Sequence, residues 1–459
     1  MSPRRRIGVV GGGITGLATA WRLRDHADVT VFEASDRLGG AVRTIDFDGA
    51  AFDVGADALL ARNTPAHAWL ADLGFSDDDL VSPATADVLL WRGRRPRRLP
   101  EHTMLGAPSD LVALARSTAL SPAALARAAL EPLVARGPIH EDVSVGEFLS
   151  RRFGRAVVDT LVEPLLGGVY AGRADRLSLQ AAAAPLWQTA TTHRSMLQGL
   201  AAARRERPAT DGPVFVTVRE GLSTLVDRLV GGLGDRVRRS APVTAIEPVD
   251  GRWSVRIDHG DAVVVDEVVL AVPAAVAARL LAPVVADVAA PLGAIPTASV
   301  AVVALAYVAD DTANLPHASG LLVPRRAARL VKAVTFSSKK WPHHAGHPRT
   351  LIRASVGRID DDRHVHLDDE SLARQVDHEL REMLRFRAPA VRTAVVRWPD
   401  ALPQYDVGHT ARVQHAQQLV ATHAPGVHLA GAAIGGVGVA ARIAQADALA
   451  AALQSSAKR

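Results

Sequence analysis

Gly11-Gly12-Gly13-Ile14-Thr15-Gly16 fits the pattern G-x-G-x-x-G, and each glycine has its own task where a chain closes on a pyrophosphate. The first permits a tight turn, the second lets the backbone approach the phosphates, and the third lets a helix pack close to a strand. The helix that follows offers unpaired N–H groups and a partial positive charge. Glu33 stands 22 residues after Gly11, where a carboxylate can accept hydrogen bonds from both ribose hydroxyls and disfavours a 2′-phosphate. A second glycine segment, Gly435-Gly436-Val437-Gly438-Val439, sits between an apolar strand and a helix. Its backbone N–H groups can stabilise negative charge that develops on a bound ring. Two other groupings carry less chemistry. His343-His344-x-x-His347 invites a metal reading, but it lies between Pro342 and Pro348 with no carboxylate or cysteine adjacent. That setting argues against a helix presenting two imidazoles together, and no metal is expected. The basic run Trp91-Arg92-Gly93-Arg94-Arg95-Pro96-Arg97-Arg98 reads as an exposed hairpin, ahead of steering of an anionic substrate or nucleic-acid binding.

These residues need particular elements to hold them. Ile7 to Val10 reads as a short strand, Ile14, Leu17, Ala18 and Trp21 fall at helical spacing, and Val29 to Phe32 reads as a second strand. Together they form a parallel βαβ unit within about thirty residues. From Ser109 to Arg207 alanine, leucine and scattered prolines predict a set of short helices. Strands are expected again over Val214 to Val218, Val243 to Ile246, Trp253 to Ile257, Val263 to Val272 and Ser299 to Val308. Val427 to Ala430 then predicts a last strand, followed by the glycine segment and an alanine-rich helix to about Leu453.

Composition narrows the classes. A chain of 459 residues with 48% apolar content can bury a large core in two or three units. There is no cysteine, which excludes disulfides, thiolate metal sites, iron–sulfur clusters and flavin attached through sulfur. Only four of the 53 basic residues are lysine (Lys332, Lys339, Lys340 and Lys458). This arginine and alanine bias suggests a GC-rich bacterial genome. The basic Met1 to Arg6 precedes an apolar run that the glycines interrupt at once, so it is expected to be a first strand rather than a leader. No apolar stretch reaches the roughly 18 residues that span a bilayer. A cytoplasmic protein is expected, with peripheral membrane contact left open.

The segment Glu33-Ala34-Ser35-Asp36-Arg37-Leu38-Gly39-Gly40, continuing to Arg43-Thr44, resembles the extended motif of the amine oxidase and carotenoid desaturase flavoproteins. The resemblance implies non-covalent FAD, with the paired glycines letting a second loop approach its pyrophosphate.

A narrower likeness runs through the middle of the chain. Ser144-Val145-Gly146-Glu147-Phe148-Leu149, Glu163 through Gly172, Leu322-Val323-Pro324, Phe336 through Pro342, Arg397-Trp398 and Pro403 through His409 are similar, in order, to the protoporphyrinogen and coproporphyrinogen oxidases. That resemblance implies an α/β fold: a Rossmann-like FAD-binding domain built from discontinuous segments (1–80, 213–285 and 400–459), with a mixed α+β substrate domain (81–112 and 286–399) and a helical subdomain (113–212). It also implies residue roles. Gly55-Ala56-Asp57-Ala58 matches a loop beside the flavin ring, Val243 a backbone contact to adenine, and Trp398 a residue near the cofactor. Gly168, Leu322 and Ser355 match positions lining the porphyrinogen cavity. The chain departs from the family at Ala440-Ala441-Arg442, where proline, a small or acidic residue and cysteine are usual. It departs again at Ile434, a usual aromatic, and at Val88, where some relatives carry an arginine for a substrate carboxylate.

The activity so implied is FAD-dependent, oxygen-using, six-electron oxidation of coproporphyrinogen III in haem biosynthesis, with hydrogen peroxide released and the product handed to downstream enzymes of the pathway. Protoporphyrinogen IX is the alternative substrate. A flavin amine oxidase and a non-enzymatic flavin- or nucleic-acid-binding protein are the more remote alternatives. The chemistry belongs mainly to cofactor and substrate, so no catalytic side chain is named.

Overall fold

The Arg6–Val10 strand lies at the centre of a five-stranded sheet in which every neighbouring pair is parallel. Its order is Val237–Arg238, Asp28–Phe32, Arg6–Val10, Glu267–Leu270, Val427–Leu429. Counted along the chain, the third strand lies outermost on one side, then the second, the first, the fourth and the fifth. The order therefore reverses between the first and fourth strands, and in such sheets the ligand crevice opens at that reversal, beyond the carboxyl ends of the strands. The computed structural model describes residues 4–61, 66–134, 137–206, 213–258, 260 and 262–456.

Both faces of this sheet are covered, which is why its strands read as nearly unbroken apolar runs. On one face the Ile14–Leu23, Ser223–Leu233 and Val439–Ser456 helices bury Ile14, Leu17, Leu225, Leu229, Ile443 and Ala446 in one cluster with Val9 and Val31. On the other, Val10, Val268 and Leu270 pack against a small antiparallel sheet (Val243–Val249, Arg252–Ile257 and Val263–Val265) and the Ala274–Leu281 helix. The run Val263 to Val272, expected as one strand, is two. Val263–Val265 ends the antiparallel sheet and Glu267–Leu270 enters the parallel one. Asp266 fixes the break: its N–H donates to the Arg6 carbonyl (2.8 Å) and its carboxylate accepts from the Arg6 N–H (2.7 Å). An apolar run carries no sign that it changes sheets.

A seven-stranded mixed sheet forms the second layer system, in the order Arg392–Pro403, Thr297–Val308, Arg349–Val356, Val331–Thr335, Gly320–Leu322, Val88–Arg92, Arg95–Arg98. Alternation along the part of Thr297–Val308 that follows a bulge at Ala298 to Val300 sends Val303, Leu305 and Tyr307 to the side covered by the Asp369–Leu384 helix. Val302, Ala304 and Ala306 go to the other side, against Phe47 and Phe52. The basic run is the expected hairpin: it turns at Gly93 (φ +63°), with Leu89, Leu90 and Trp91 buried and Arg94, Arg95, Arg97 and Arg98 exposed.

Between these sheets in sequence comes a stack of short helices, Leu111–Arg116 through Met196–Glu206. Pro122 and Pro185 sit in first turns, where the missing N–H costs nothing, and so mark helix starts. Pro164 instead follows the π-helical turn Val158–Val162 inside an unbroken helical run over residues 155–170. Gly168 lies in the last turn of Glu163–Tyr170, which ends at left-handed Ala171 (φ +53°). Among the described residues no helix is long and apolar enough to cross a membrane.

Candidate active site

The three glycines of the first turn differ in what surrounds them. Gly11 has φ +107°, and a Cβ there would lie 2.5 Å from the Ala271 carbonyl oxygen, on the fourth strand's continuation. A Cβ on Gly16 would lie 2.0 Å from the Gly11 carbonyl oxygen, so only glycine lets the helix start this close to the strand. Gly13 is different, since its nearest neighbour would be the Gly40 Cα at 4.0 Å. It faces open space, at the N-terminus of a helix whose first N–H groups point the same way. Ile14, Thr15 and Gly16 form that first turn.

A second loop closes over the turn. The Gly39 N–H donates to the Gly12 carbonyl (2.8 Å), Gly13 and Gly39 form an isolated parallel bridge, and Gly39 and Gly40 both have positive φ. Arg37 ties the loop to itself through the carbonyls of Leu38, Gly40 and Val42, and its guanidinium lies 5.5 Å from the Trp398 ring centre. Glu33, followed by Ala34, comes directly after the second strand and accepts from the Gly12 N–H (2.7 Å) and from Ser35. Beside it a cleft opens that Arg37, Arg43, Ser223 and Arg239 help to line. Val243 is buried against Val10 and Phe32, after a segment whose Ala241 N–H donates to the Glu33 carbonyl.

The loop that closes over the turn borders a second space: Arg37, Leu38 and Arg43 line the cleft, and Ala41 and Val42 line a cavity together with Gly55, Ala56, Asp57, Val302, Trp398, Val437, Val439, Gly168 and Ser355. Ala58 follows Asp57, and Gly438 has open space where a Cβ would stand. Gly55 is forced by its neighbours, because a Cβ would lie 2.0 Å from the Ala41 carbonyl oxygen. Leu322 is the nearest neighbour of Gly168, its Cδ2 3.5 Å from where a Cβ would be. The expected site residues thus fall in two groups, one around the glycine turn, Glu33 and Val243 and one around the cavity, with the loop over residues 37–43 beside both. Leu322 touches Gly168 without lining the cavity.

The charge on the cavity wall was not legible in the sequence pattern. Lys332, Arg353 and Arg442 all border it. Arg353 donates to the Gly55 carbonyl (2.6 Å), and its Nε has no partner. Arg442, standing where the resembling family carries cysteine, is buried with its Nε unpaired, and burial lowers its pKa. Asp57 is the opposing carboxylate. Burial would raise its pKa, but Lys340 (3.0 Å) and Arg353 outweigh that and hold it down to about 2. One available signal was the rarity of lysine: Lys332 interrupts an apolar strand in a chain with only four lysines.

The histidines do other work. Contrary to the expectation from the flanking prolines, Pro342–Ala345 is one helical turn, because Pro342 occupies its first position. His344 donates through Nε2 to the Ala51 carbonyl and stacks on Phe52, and His347 bridges Asp48 and Arg349. Burial pushes His343 down to about 4. Among the described residues no group of three or more His, Cys, Asp or Glu is arranged to hold a metal ion.

Known proteins resemble the whole chain. The profile of the family described as flavin containing amine oxidoreductase matches residues 14–452. Coproporphyrinogen III oxidase of Bacillus subtilis (strain 168) is 31% identical over 95% of both chains. Coproporphyrinogen III oxidase of Mycobacterium bovis is 36% identical, covering 96% of this chain and 95% of that protein. A crystal structure from Exiguobacterium sp. 255-15, provisionally assigned as a protoporphyrinogen oxidase, superposes with a TM-score of 0.86 at 30% identity over 98% of both chains.

Proposed function

The chain belongs to the flavin-containing amine oxidoreductases and uses FAD, and we propose that it oxidises coproporphyrinogen III to coproporphyrin III. The observation that carries this reading is a cavity lined by Gly55, Trp398, Val437, Gly168 and Ser355, next to a loop over residues 37–43 that also borders the dinucleotide cleft, in a chain whose near-full-length relatives bear that activity's name. Protoporphyrinogen IX is the second reading, favoured by the assignment of the Exiguobacterium structure.

The residues fit FAD. The open face of Gly13 and the first turn of the following helix suit a pyrophosphate, and Glu33 suits the ribose once its carboxylate turns from the Gly12 N–H. The Val243 backbone would meet the adenine. Arg37, Gly39, Gly40 and Arg43 would border the diphosphate and ribityl chain. Gly55 through Ala58, Trp398 and Val437 through Val439 would enclose the ring. When bound, FAD supplies a two-electron acceptor that molecular oxygen can regenerate with release of hydrogen peroxide, and three such oxidations make one porphyrin.

The protein's own contribution is position and surroundings. Gly168 leaves a flat wall on which a macrocycle can lie, and Val302, Trp398 and Leu402 keep the reacting face apolar. Backbone N–H groups at the start of Val439–Ser456 favour negative charge on the ring side of the cavity. The division into segments 1–80, 213–285 and 400–459 for FAD, 81–112 and 286–399 for substrate, and a helical 113–212 is supported by apolar clusters of the parallel sheet, the mixed sheet and the helices, while Val288 and Leu292 pack with the FAD segments and Phe47 and Phe52 with the mixed sheet.

Rapid anaerobic mixing with coproporphyrinogen III tests the reading. The flavin absorbance of the wild type should bleach. Gly168→Leu should keep its FAD yet bleach about 10- to 100-fold more slowly, the effect expected of overfilling a packed site. Equal rates in a folded, FAD-loaded variant would place the substrate elsewhere.

A further inference from the structure

Lys332 is 4% exposed, yet no hydrogen bond or ion pair ties its ammonium to any described residue. It occupies the strand Val331–Thr335 where pairing with Arg349–Val356 slips, from Val331↔Val356 to Ala333↔Ser355. The extra residue of this bulge turns the lysine inward. There it borders two spaces at once: the cavity of Gly168 and Ser355, and a small pocket behind it with Glu163, Arg325 and Arg358.

The charges around it do not balance. The charged groups that act on it most are Arg358 and Arg353, both cations, and buried His364 also faces it. Glu163 is engaged with the Ala174 N–H (2.6 Å) and Arg325 (3.8 Å), and Asp57 with Lys340. A buried ammonium without a counter-ion is costly, and a site built this way becomes favourable when a ligand brings the anion. We propose that Lys332 receives a propionate carboxylate of the bound tetrapyrrole. This rests on reading the cavity as the porphyrinogen site, and it assigns that site a carboxylate partner. Burial, with Arg358 and Arg353, pushes the free ammonium down to about 7. An arriving carboxylate would draw the proton back, so binding above neutral pH should take up protons.

Coproporphyrin III and its tetramethyl ester, titrated by fluorescence into FAD-loaded protein, separate the charge from the ring. Lys332→Met should weaken binding of the free acid about 10- to 100-fold, the effect of one lost hydrogen bond to a charged group. It should leave ester binding nearly unchanged. For the wild type alone, calorimetry at pH 8 in two buffers of different ionisation enthalpy should show proton uptake with the acid and none with the ester. Unchanged affinity for the acid in the variant, or an equal loss for acid and ester, overturns the proposal. So does a loss confined to kcat with unchanged affinity, which would make Lys332 a base instead. Wild-type protein that binds neither pigment would overturn the substrate reading and this site with it.

Discussion

Asp53 and Asp57 lie four positions apart and titrate in opposite directions. Burial pushes Asp53 up to about 7, against hydrogen bonds from Thr44 Oγ1 (2.6 Å) and the Leu222 N–H (3.0 Å). Asp57 is also buried, but Lys340 and Arg353 bring it down to about 2. Folded Asp53 holds a proton that the unfolded chain releases near 3.8, so its contribution to stability is lost as pH rises from about 4 to about 7. Asp57 works the other way, with its contribution present above about 4 and lost as pH falls toward 2. Asp53→Asn cannot lose a proton. Its melting temperature relative to wild type should therefore climb between pH 5 and pH 8, and a difference that stays constant over that range would show that Asp53 is already ionised at pH 5. At this scale the sequence was only partly readable. Glu33 could be placed by counting from Gly11, because a βαβ unit fixes that spacing. Lys332, Arg353 and Arg442 could not, because the cavity they border is assembled from strands and loops far apart in the chain.

The glycine turn shows what an element demands of its residues. Gly16 is held by packing and Gly13 by the space in front of it, so substitutions there should fail differently. Gly16→Ala puts a methyl group 2.0 Å from a carbonyl oxygen and should lower the melting temperature of the apoprotein itself. Gly13, with φ −73° and ψ 172°, accepts alanine without backbone strain. Gly13→Ala should therefore melt like wild type without cofactor while binding FAD about 10- to 100-fold more weakly. Thermal melts of apoprotein and titration with FAD read the two effects apart. Wild-type FAD affinity in Gly13→Ala would mean that the pyrophosphate lies away from this turn. Local elements of this kind were legible because their signals are local: an apolar run, a glycine pattern, a helical period. The break at Asp266 and the one-turn helix at Pro342 were not, since both depend on what the chain meets after it folds.

On the scale of the whole molecule, the central sheet is assembled from strands that begin at Arg6 and end at Leu429. Its first and fourth strands meet where Gly11 touches Ala271, and the last helix packs beside the first. The first and last glycine segments could be read as one nucleotide-binding unit from their matching strand–glycine–helix order. Strand order and register could not, because nothing in a strand's own residues names its neighbour. The same long-range assembly brings Gly168 from the helices, Ser355 from the mixed sheet and Val437 from the last glycine segment around one cavity. That convergence is the basis for assigning a porphyrinogen to it. The most direct test is kcat/KM for coproporphyrinogen III and protoporphyrinogen IX, both prepared anaerobically and assayed with one batch of FAD-loaded protein. Two additional propionates, each contributing about 1.5–3 kcal/mol if hydrogen-bonded, predict a preference for coproporphyrinogen III of about a hundredfold or more. Preference for protoporphyrinogen IX, or no porphyrin from either substrate, contradicts the account.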